Sequence, residues 1–246
     1  MKKKKSVIIY ENIKVLFSAL IIAILIRSLL MQPFYIPSSS MEPTLLVGDR
    51  IFVSKYTYGY SKHSFPFSPN FSNERFFSKE PNRGDLVVFK TPADNRTDYI
   101  KRLIGLPGDT IQFIDGYLYL NEKKIIRKKI TSSAQIRCGN YGLETNLFIE
   151  KLPNGIEHTT AYKKNGTMQN TKKFLVPMKH YFLLGDNRDC SKDSRYLGSV
   201  GYVNYTNLVG KAQLIFFSND TNINSLLKFW NINESFRFER IFKILQ

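Results

Sequence analysis

The sequence predicts a mainly β protein, an antiparallel coiled β-sheet or barrel-like body preceded by one N-terminal transmembrane helix. Three observations carry that reading. One long apolar run, Ile13 to Met31, lies near the start. Beyond it, turn pairs are followed by short β-branched and aromatic stretches, the pattern of turn then strand. No later segment repeats apolar residues at the helical period over a long window. An aromatic content of 14% suits strands and membrane-interface surfaces.

Taken in order, Lys2 to Lys5 give a basic start, and the apolar run is interrupted only by Lys14, Ser18 and Arg27. As a helix, Ile13 to Met31 spans roughly 28 Å, close to the hydrocarbon thickness of a bilayer. Lys14 and Arg27 fall near its ends, where long basic side chains reach headgroups. Basic residues crowd the N-terminal flank, so the positive-inside rule places that end in the cytoplasm. The expected division is a cytoplasmic start over 1–11, a membrane helix over 12–31 and an extracytoplasmic β domain over 32–246. A cleaved export signal shares the basic start and apolar core, and Ser38 and Ser40 imitate a cleavage site. The length of the run and the Arg27 within it favour a retained anchor.

In the body, Gly-Asp recurs at Gly48-Asp49, Gly84-Asp85, Gly108-Asp109 and Gly185-Asp186. The first three precede Ile51–Val53, Leu86–Phe89 and Thr110–Phe113, each a strand candidate. Asp115-Gly116 between Thr110–Ile114 and Tyr117–Leu120 is the strongest hairpin signal. Tyr99–Ile104, Tyr181–Leu184 and Val209–Phe217 are further strands. Two stretches read as insertions. Residues 57–82 carry Phe65, Phe67, Phe71, Phe76 and Phe77, either a loop packed on the core or a lip dipping into the lipid interface. Residues 122–173 are basic, polar and weakly periodic, a variable surface subdomain. Phe236 to Leu245 in the tail reads as a last strand or an amphipathic helix.

The formal net charge is +16, which suits anionic lipid headgroups, although a lysine-rich genome gives the same excess. No nucleic-acid partner is expected, because no basic block interleaved with aromatics forms a recognisable module. Cys138 and Cys190 are too few for a disulfide scaffold and fit no zinc spacing, and whether they pair stays open. No metal or other cofactor is expected.

The chemistry gathers in three stretches. Pro37-Ser38-Ser39-Ser40-Met41-Glu42-Pro43 holds serines between prolines on a stiff, non-helical segment, which suits a nucleophile as well as it suits a linker. A base is then needed. His63 and His158 lie in the insertions, His180 begins a strand, and none sits in a Ser-His-Asp pattern. Lysine is the alternative, and it must be neutral to act. In Asp98–Gly105, alternation puts Lys101 on one face with Tyr99 and Leu103, among apolar neighbours as a desolvated base requires. The third stretch, Gly185 to Arg195, is dense in small polar and charged groups. There Asp193 and Arg195 can pair, and Ser191 can orient a base.

Together these stretches resemble bacterial type I signal peptidases. Ser40-Met41-Glu42-Pro43-Thr44-Leu45, Gly84–Phe89, Asp98–Asp109 and Gly185–Arg195 follow in that family's order after a membrane anchor. Leu208–Ala212 also fits, while residues 57–82 and 122–173 match weakly. The resemblance implies a Ser-Lys endopeptidase acting on exported preproteins, with Ser40 as nucleophile and Lys101 as general base. It implies that Ser38 joins the Ser40 N–H in the oxyanion hole, that Ser191 positions the lysine, and that Asp193 and Arg195 form a supporting ion pair. It also implies a β domain resting on the outer face of the bacterial cytoplasmic membrane. Some relatives have two spans where one is read here, and Ser39 stands where glycine is common. Two other readings were open to the residues: a Ser-Lys self-cleaving regulator, which the anchor disfavours, and a non-enzymatic membrane-tethered β module, which needs no Ser40 with Lys101.

Overall fold

The computed structural model of the chain describes residues 2–69, 72, 74–163, 166, 170–219 and 236–245. It begins with helix α1 (Lys2–Leu25), which continues through one π turn, Ile26–Leu30. The segment Tyr10–Leu30 is long and apolar enough to cross a membrane. Its apolar side chains, Leu16, Phe17 and Leu20 among them, are exposed, so nothing in the body buries them.

Among the described residues fourteen strands follow. They are β1 (Met31–Tyr35), β2 (Asp49–Ser54), β3 (Leu86–Lys90), β4 (Asp98–Gly105), β5 (Thr110–Ile114), β6 (Tyr117–Leu120) and β7 (Lys123–Lys124). Then come β8 (Ile126–Cys138), β9 (Tyr141–Lys151), β10 (Glu157–Lys163), β11 (Phe174–Leu175), β12 (His180–Leu184), β13 (Val203–Asn204) and β14 (Leu208–Ser218). A seven-stranded sheet runs β1-β2-β14-β3-β4-β12-β13, a four-stranded sheet β11-β5-β6-β7, and a three-stranded sheet β10-β9-β8. All strand pairings within them are antiparallel. The fold is thus mainly β, a curled antiparallel sheet behind one N-terminal apolar helix.

The Gly-Asp turns explain where strands start. Asp49, Asp85 and Asp109 each accept, through the carboxylate, the backbone N–H three residues earlier, from Leu46 (2.8 Å), Asn82 (3.0 Å) and Leu106 (2.7 Å). Each carboxylate also binds a cation: Arg240 at 2.6 Å, Lys211 at 2.6 Å and Arg83 at 2.8 Å respectively. An aspartate here closes the turn and ties it to a distant element. At the β5–β6 hairpin both Asp115 (φ 47°) and Gly116 (φ 71°) are left-handed, as a type I′ turn requires.

Three apolar clusters form the core. Ile104, Phe113, Phe182 and Leu184 pack the four-stranded sheet against β12. Met41, Leu45, Val53 and Ile215 fill the space under β1, β2 and β14. Phe89, Leu103 and Leu183 occupy the third, between β3, β4 and β12.

Within the expected insertion 122–173, β8, β9 and β10 form the three-stranded sheet, and β10 bridges Ala161 to Asn187 in the Gly185–Arg195 run. Phe236 to Leu245 is neither a strand nor an amphipathic helix. It is a 3-10 turn, Phe238–Arg240, with bridges Asn219 to Phe236 and Leu214 to Ile244. Arg240 is held there by Asp49, which fixes the turn in place of a regular element. Phe71 and residues 220–235 lie outside the described residues.

Candidate active site

Ser40 lies in a single 3-10 turn, Ser39–Met41, entered through Ser38 in extended conformation (φ −128°, ψ 152°). Met41 and Leu45, both 0% exposed, anchor the downstream side in the core, and the Glu42–Pro43 bond is cis. Asn187 clamps the turn itself: its N–H donates to the Ser40 carbonyl (3.2 Å) and its amide to the Ser39 carbonyl (3.1 Å). From the β8–β9 hairpin, Gly139 N–H donates to Ser39 Oγ (3.2 Å) and Arg137 N–H to the Glu42 carboxylate (2.9 Å). The hydroxyl therefore sits on a segment held from two sides.

Lys101, in β4, reaches that hydroxyl. Its Nζ donates to Ser40 Oγ at 2.5 Å and to the Ile100 carbonyl at 3.0 Å, and lies 5.5 Å from the Tyr99 ring centroid. The residue is 2% exposed. Burial pulls its pKa down from 10.5 to about 8, against the opposing pull of Asp193 and Asp186 and with help from Arg195. Ser38 is exposed, and its Oγ is 3.3 Å from Ser40 Oγ.

The Gly185–Arg195 loop packs behind the pair. Asp193 and Arg195 form a buried two-point ion pair, 2.8 Å at each contact. Burial alone raises the Asp193 pKa, but Arg195 overcomes it and the carboxylate is held below its usual range. Asp193 also accepts the Gly185 N–H at 3.0 Å. A side chain at Gly185 would collide with Ser191 Oγ and with the Ser40 carbonyl, so only glycine lets these segments approach. Ser191 is buried beside them, and among the described residues its Oγ meets no hydrogen-bond partner, Lys101 included. It lies near enough to Asp193 to help keep that carboxylate ionised.

Several residues at the site were not singled out by the sequence. Arg102, next to Lys101 but on the other face, makes a buried pair with Asp186 (2.8 Å), which also accepts from the Thr44 hydroxyl (2.6 Å). Arg188 pairs with buried Glu150 at 2.7 Å and reaches the Tyr162 hydroxyl at 2.7 Å. The two cysteines whose pairing the sequence left open, Cys138 and Cys190, form a disulfide that joins the β8–β9 hairpin to the loop. The Gly-Asp-Asn-Arg run and the lysine-arginine pair pointed to Asp186, Asn187 and Arg102. Nothing local pointed to Glu150 or Tyr162.

None of the three histidines touches Ser40 among the described residues. His63 is buried and bonds Ser68 (3.0 Å), and His180 bonds the Met178 carbonyl (2.8 Å). His158 lies 3.8 Å from Glu150, and burial together with Arg102 lowers its pKa to about 4.

Ser40 and Lys101 open onto a groove of about 1460 Å³, with Phe34, Ile36, Val88 and Ile100 among its apolar lining. β4 pairs with β3 from Asp98 to Arg102, yet with β12 only from Arg102 to Gly105. Its Asp98–Lys101 portion thus has a free edge beside the groove among the described residues.

A hydroxyl and a buried amine joined by a hydrogen bond thus stand on the wall of an open, partly apolar groove in a curled antiparallel sheet. The family model described as signal peptidase, peptidase S26, matches residues 9–217. Signal peptidase I of Rickettsia typhi is 46% identical over 243 residues, covering 91% of this chain and 89% of that protein. Signal peptidase I of Rickettsia conorii is 45% identical over 243 residues, covering 91% and 88%. A crystal structure of a signal peptidase I from Enterococcus faecalis V583 is 28% identical, covers 54% of this chain and 97% of that one, and has a TM-score of 0.31. The chain belongs to the signal peptidase I family, the S26 peptidases.

Proposed function

We propose that this chain is a membrane-bound endopeptidase that removes N-terminal signal peptides from exported preproteins, with Ser40 as nucleophile and neutral Lys101 as general base. The observation that carries this is the 2.5 Å hydrogen bond from a 2%-exposed amine to the Ser40 hydroxyl. Uncharged, Lys101 accepts the Ser40 proton as Oγ attacks the scissile carbonyl carbon. It then returns that proton to the leaving amine, and the acyl group stays on Ser40. Lys101 next takes a proton from water as the water oxygen attacks the ester, and it returns that proton to Ser40 Oγ as the carboxylic product leaves. At both steps the oxyanion is met by the Ser40 N–H and the Ser38 hydroxyl. Asp193 and Arg195 hold the loop that backs Lys101, and Ser191, on that loop, is the residue that positions the amine. No metal or cofactor enters these steps.

The substrate binds extended along the free Asp98–Lys101 edge, adding a strand, with small side chains next to the apolar lining. Residues 1–11 are cytoplasmic, 12–31 span the bacterial cytoplasmic membrane, and 32–246 stand on the extracytoplasmic face, where preproteins emerge and lipid is at hand. The test incubates detergent-solubilised full-length protein with a preprotein and maps the product termini. Cleavage after a small residue, lost in both Ser40→Ala and Lys101→Ala, is the expected result. Undiminished cleavage by Lys101→Ala removes the Ser-Lys mechanism.

A further inference from the structure

A second cavity, of about 560 Å³, opens where the apolar helix ends. Arg27, Lys55, Lys62, Lys90 and Arg96 line it, against two carboxylates, Asp94 and Asp98. Both carboxylates are already committed. Asp94 accepts from the Arg96 N–H (2.8 Å), the Thr97 N–H (3.0 Å) and the Thr97 hydroxyl (2.5 Å), which closes its own loop. Asp98 pairs with Lys90 at 2.9 Å. Arg27, Lys62 and Arg96 have no ion-pair partner among the described residues.

Lys55 is the unusual member. It is 2% exposed, more buried than any other cation on this wall, and among the described residues its amine donates to one side-chain or backbone acceptor, the Ser64 carbonyl. Two N–H bonds of the ammonium are unspent, and no carboxylate lies within ion-pair distance among the described residues. A charge so placed is costly unless an anion joins it. Burial first, then Arg27, pull its pKa to about 8, which expresses the same want of a counter-ion. His63, on the same wall, adds no charge, since burial and Lys62 bring its pKa to about 4.

The position of the cavity selects among anions. The Lys55 N–H donates to the Leu30 carbonyl (3.0 Å) and the Tyr60 hydroxyl to the Leu29 carbonyl (2.8 Å). These bonds pin the basic wall to the last turn of the apolar segment Tyr10–Leu30, the level of the headgroups if that segment spans a bilayer. Phe65, Pro66 and Phe67 form part of the rim, and Phe67 is fully exposed with φ 62°. An aromatic rim beside a cationic interior matches an acyl chain leading to a phosphate.

We infer that this cavity binds the phosphate of an anionic phospholipid headgroup, with Lys55 as its buried donor and Arg27 and Lys62 as further contacts. A zwitterionic headgroup brings its own cation into a wall that already has an excess of positive charge, so phosphatidylglycerol fits better than phosphatidylcholine. The inference rests on the membrane reading of Tyr10–Leu30 and is independent of the chemistry at Ser40.

The test uses full-length protein in a neutral detergent, followed by native mass spectrometry and thermal unfolding. The probes are short-chain phosphatidylglycerol, the matched phosphatidylcholine, and inorganic phosphate. Phosphatidylglycerol is expected to remain bound and to raise Tm, with the other two weaker by about tenfold or more. Lys55→Met is expected to unfold at a higher temperature than the parent without lipid, to lose the phosphatidylglycerol adduct and shift, and to cleave a peptide at the parental rate. Lys62→Gln, a change at a half-buried residue that keeps a polar side chain of similar reach, is expected to fold and to weaken binding several-fold. An adduct undiminished in Lys55→Met, or in Lys62→Gln should Lys55→Met fail to fold, overturns the site. Inorganic phosphate as effective as phosphatidylglycerol overturns the lipid assignment in favour of a free anion. Alkaline carbonate extraction reports separately on the span: release of the protein into the supernatant sinks the membrane reading whatever the binding data show.

Discussion

At the scale of single residues, the amine of Lys101 sets the pH dependence. Its folded pKa, about 8, lies below the ordinary 10.5 because burial disfavours the charged form. The proposed base is then mostly protonated at neutral pH, and kcat/KM is expected to climb with pH to a plateau above about 8. A profile that is flat from pH 6 to about 9 argues against this base. The stability sign follows from the same shift. Between about 8 and 10.5 the unfolded chain binds a proton that the folded chain does not, so stability rises with pH across that window. Below it, the folded state carries the whole cost of the buried ammonium. Lys101→Met is therefore expected to be inactive yet to melt higher than the parent at pH 7, with the difference shrinking as pH approaches 10. Lys101→Arg, which stays charged, is expected to be inactive with no such gain. Ser38→Ala is expected to lower kcat by about 10²-fold with little change in KM, because the lost donor acts only as charge develops. Strand alternation groups Lys101 with Tyr99 and Leu103, which allowed its burial, but it was the resemblance to a family that singled it out as a base. Lys55 was not legible, since a lysine closing Ile51–Lys55 looks like any solvated strand end until the packing of Ser64 and Leu30 around it is known.

At the scale of elements, the three-stranded sheet β8–β10 acts as a clip on the Ser40 turn. It reaches the site by the Cys138–Cys190 bond, by the Ala161–Asn187 bridge, and by Arg137 N–H and Gly139 N–H. The disulfide closes a segment with a sequence separation of 52, for which chain entropy gives a stabilisation of about 4 kcal/mol at most. The Cys138→Ser, Cys190→Ser double variant is expected to lose several degrees of Tm and some kcat, as Asn187 loosens its hold on the Ser39 and Ser40 carbonyls. Equal Tm and kcat in parent and double variant under oxidising conditions argue against the clip. Glu150→Gln tests the other tie. It leaves buried Arg188 without its counter-ion, a loss of about 3–5 kcal/mol, and a cost under 1 kcal/mol in urea unfolding contradicts it. The turns that build this sheet were present in the sequence. Gly139-Asn140 links β8 to β9 and Asn154-Gly155 lies between β9 and β10, both ordinary hairpin pairs. What hid the strands was composition. β8 runs Arg127, Lys128 and Lys129 together and exposes Ile126 and Ile130, while β9 sets Glu144, Asn146 and Glu150 among its apolar residues, so the period-two apolar signal is faint. The strands of the large sheet were plain because Leu86–Phe89 and Phe182–Leu184 are buried without interruption. Pairs such as Glu150 with Arg188 join residues far apart in sequence, and no local pattern encodes them.

At the scale of the whole molecule, the N-terminal helix and the groove have to be explained together. The body buries none of the apolar side chains of Tyr10–Leu30, which suits the proposed span, and with that span in place the short step from Leu30 into β1 gives the body little freedom to leave the bilayer surface. β1 supplies Phe34 to the groove lining, so the proposed catalytic pair stands close to the proposed membrane exit. A tether of that kind turns the encounter with a membrane-inserted preprotein into a local search, which raises the effective substrate concentration without any new contact. The benefit exists only if the groove faces the compartment into which preproteins emerge. That requires the basic start to stay in the cytoplasm, as the lysines before the helix favour. In spheroplasts, protease added from outside is accordingly expected to destroy the body and spare an N-terminal epitope tag. In inverted vesicles it is expected to remove the tag and spare the body. The opposite pattern would separate Ser40 from every exported substrate, and the local-search argument would fall even with the peptidase chemistry intact.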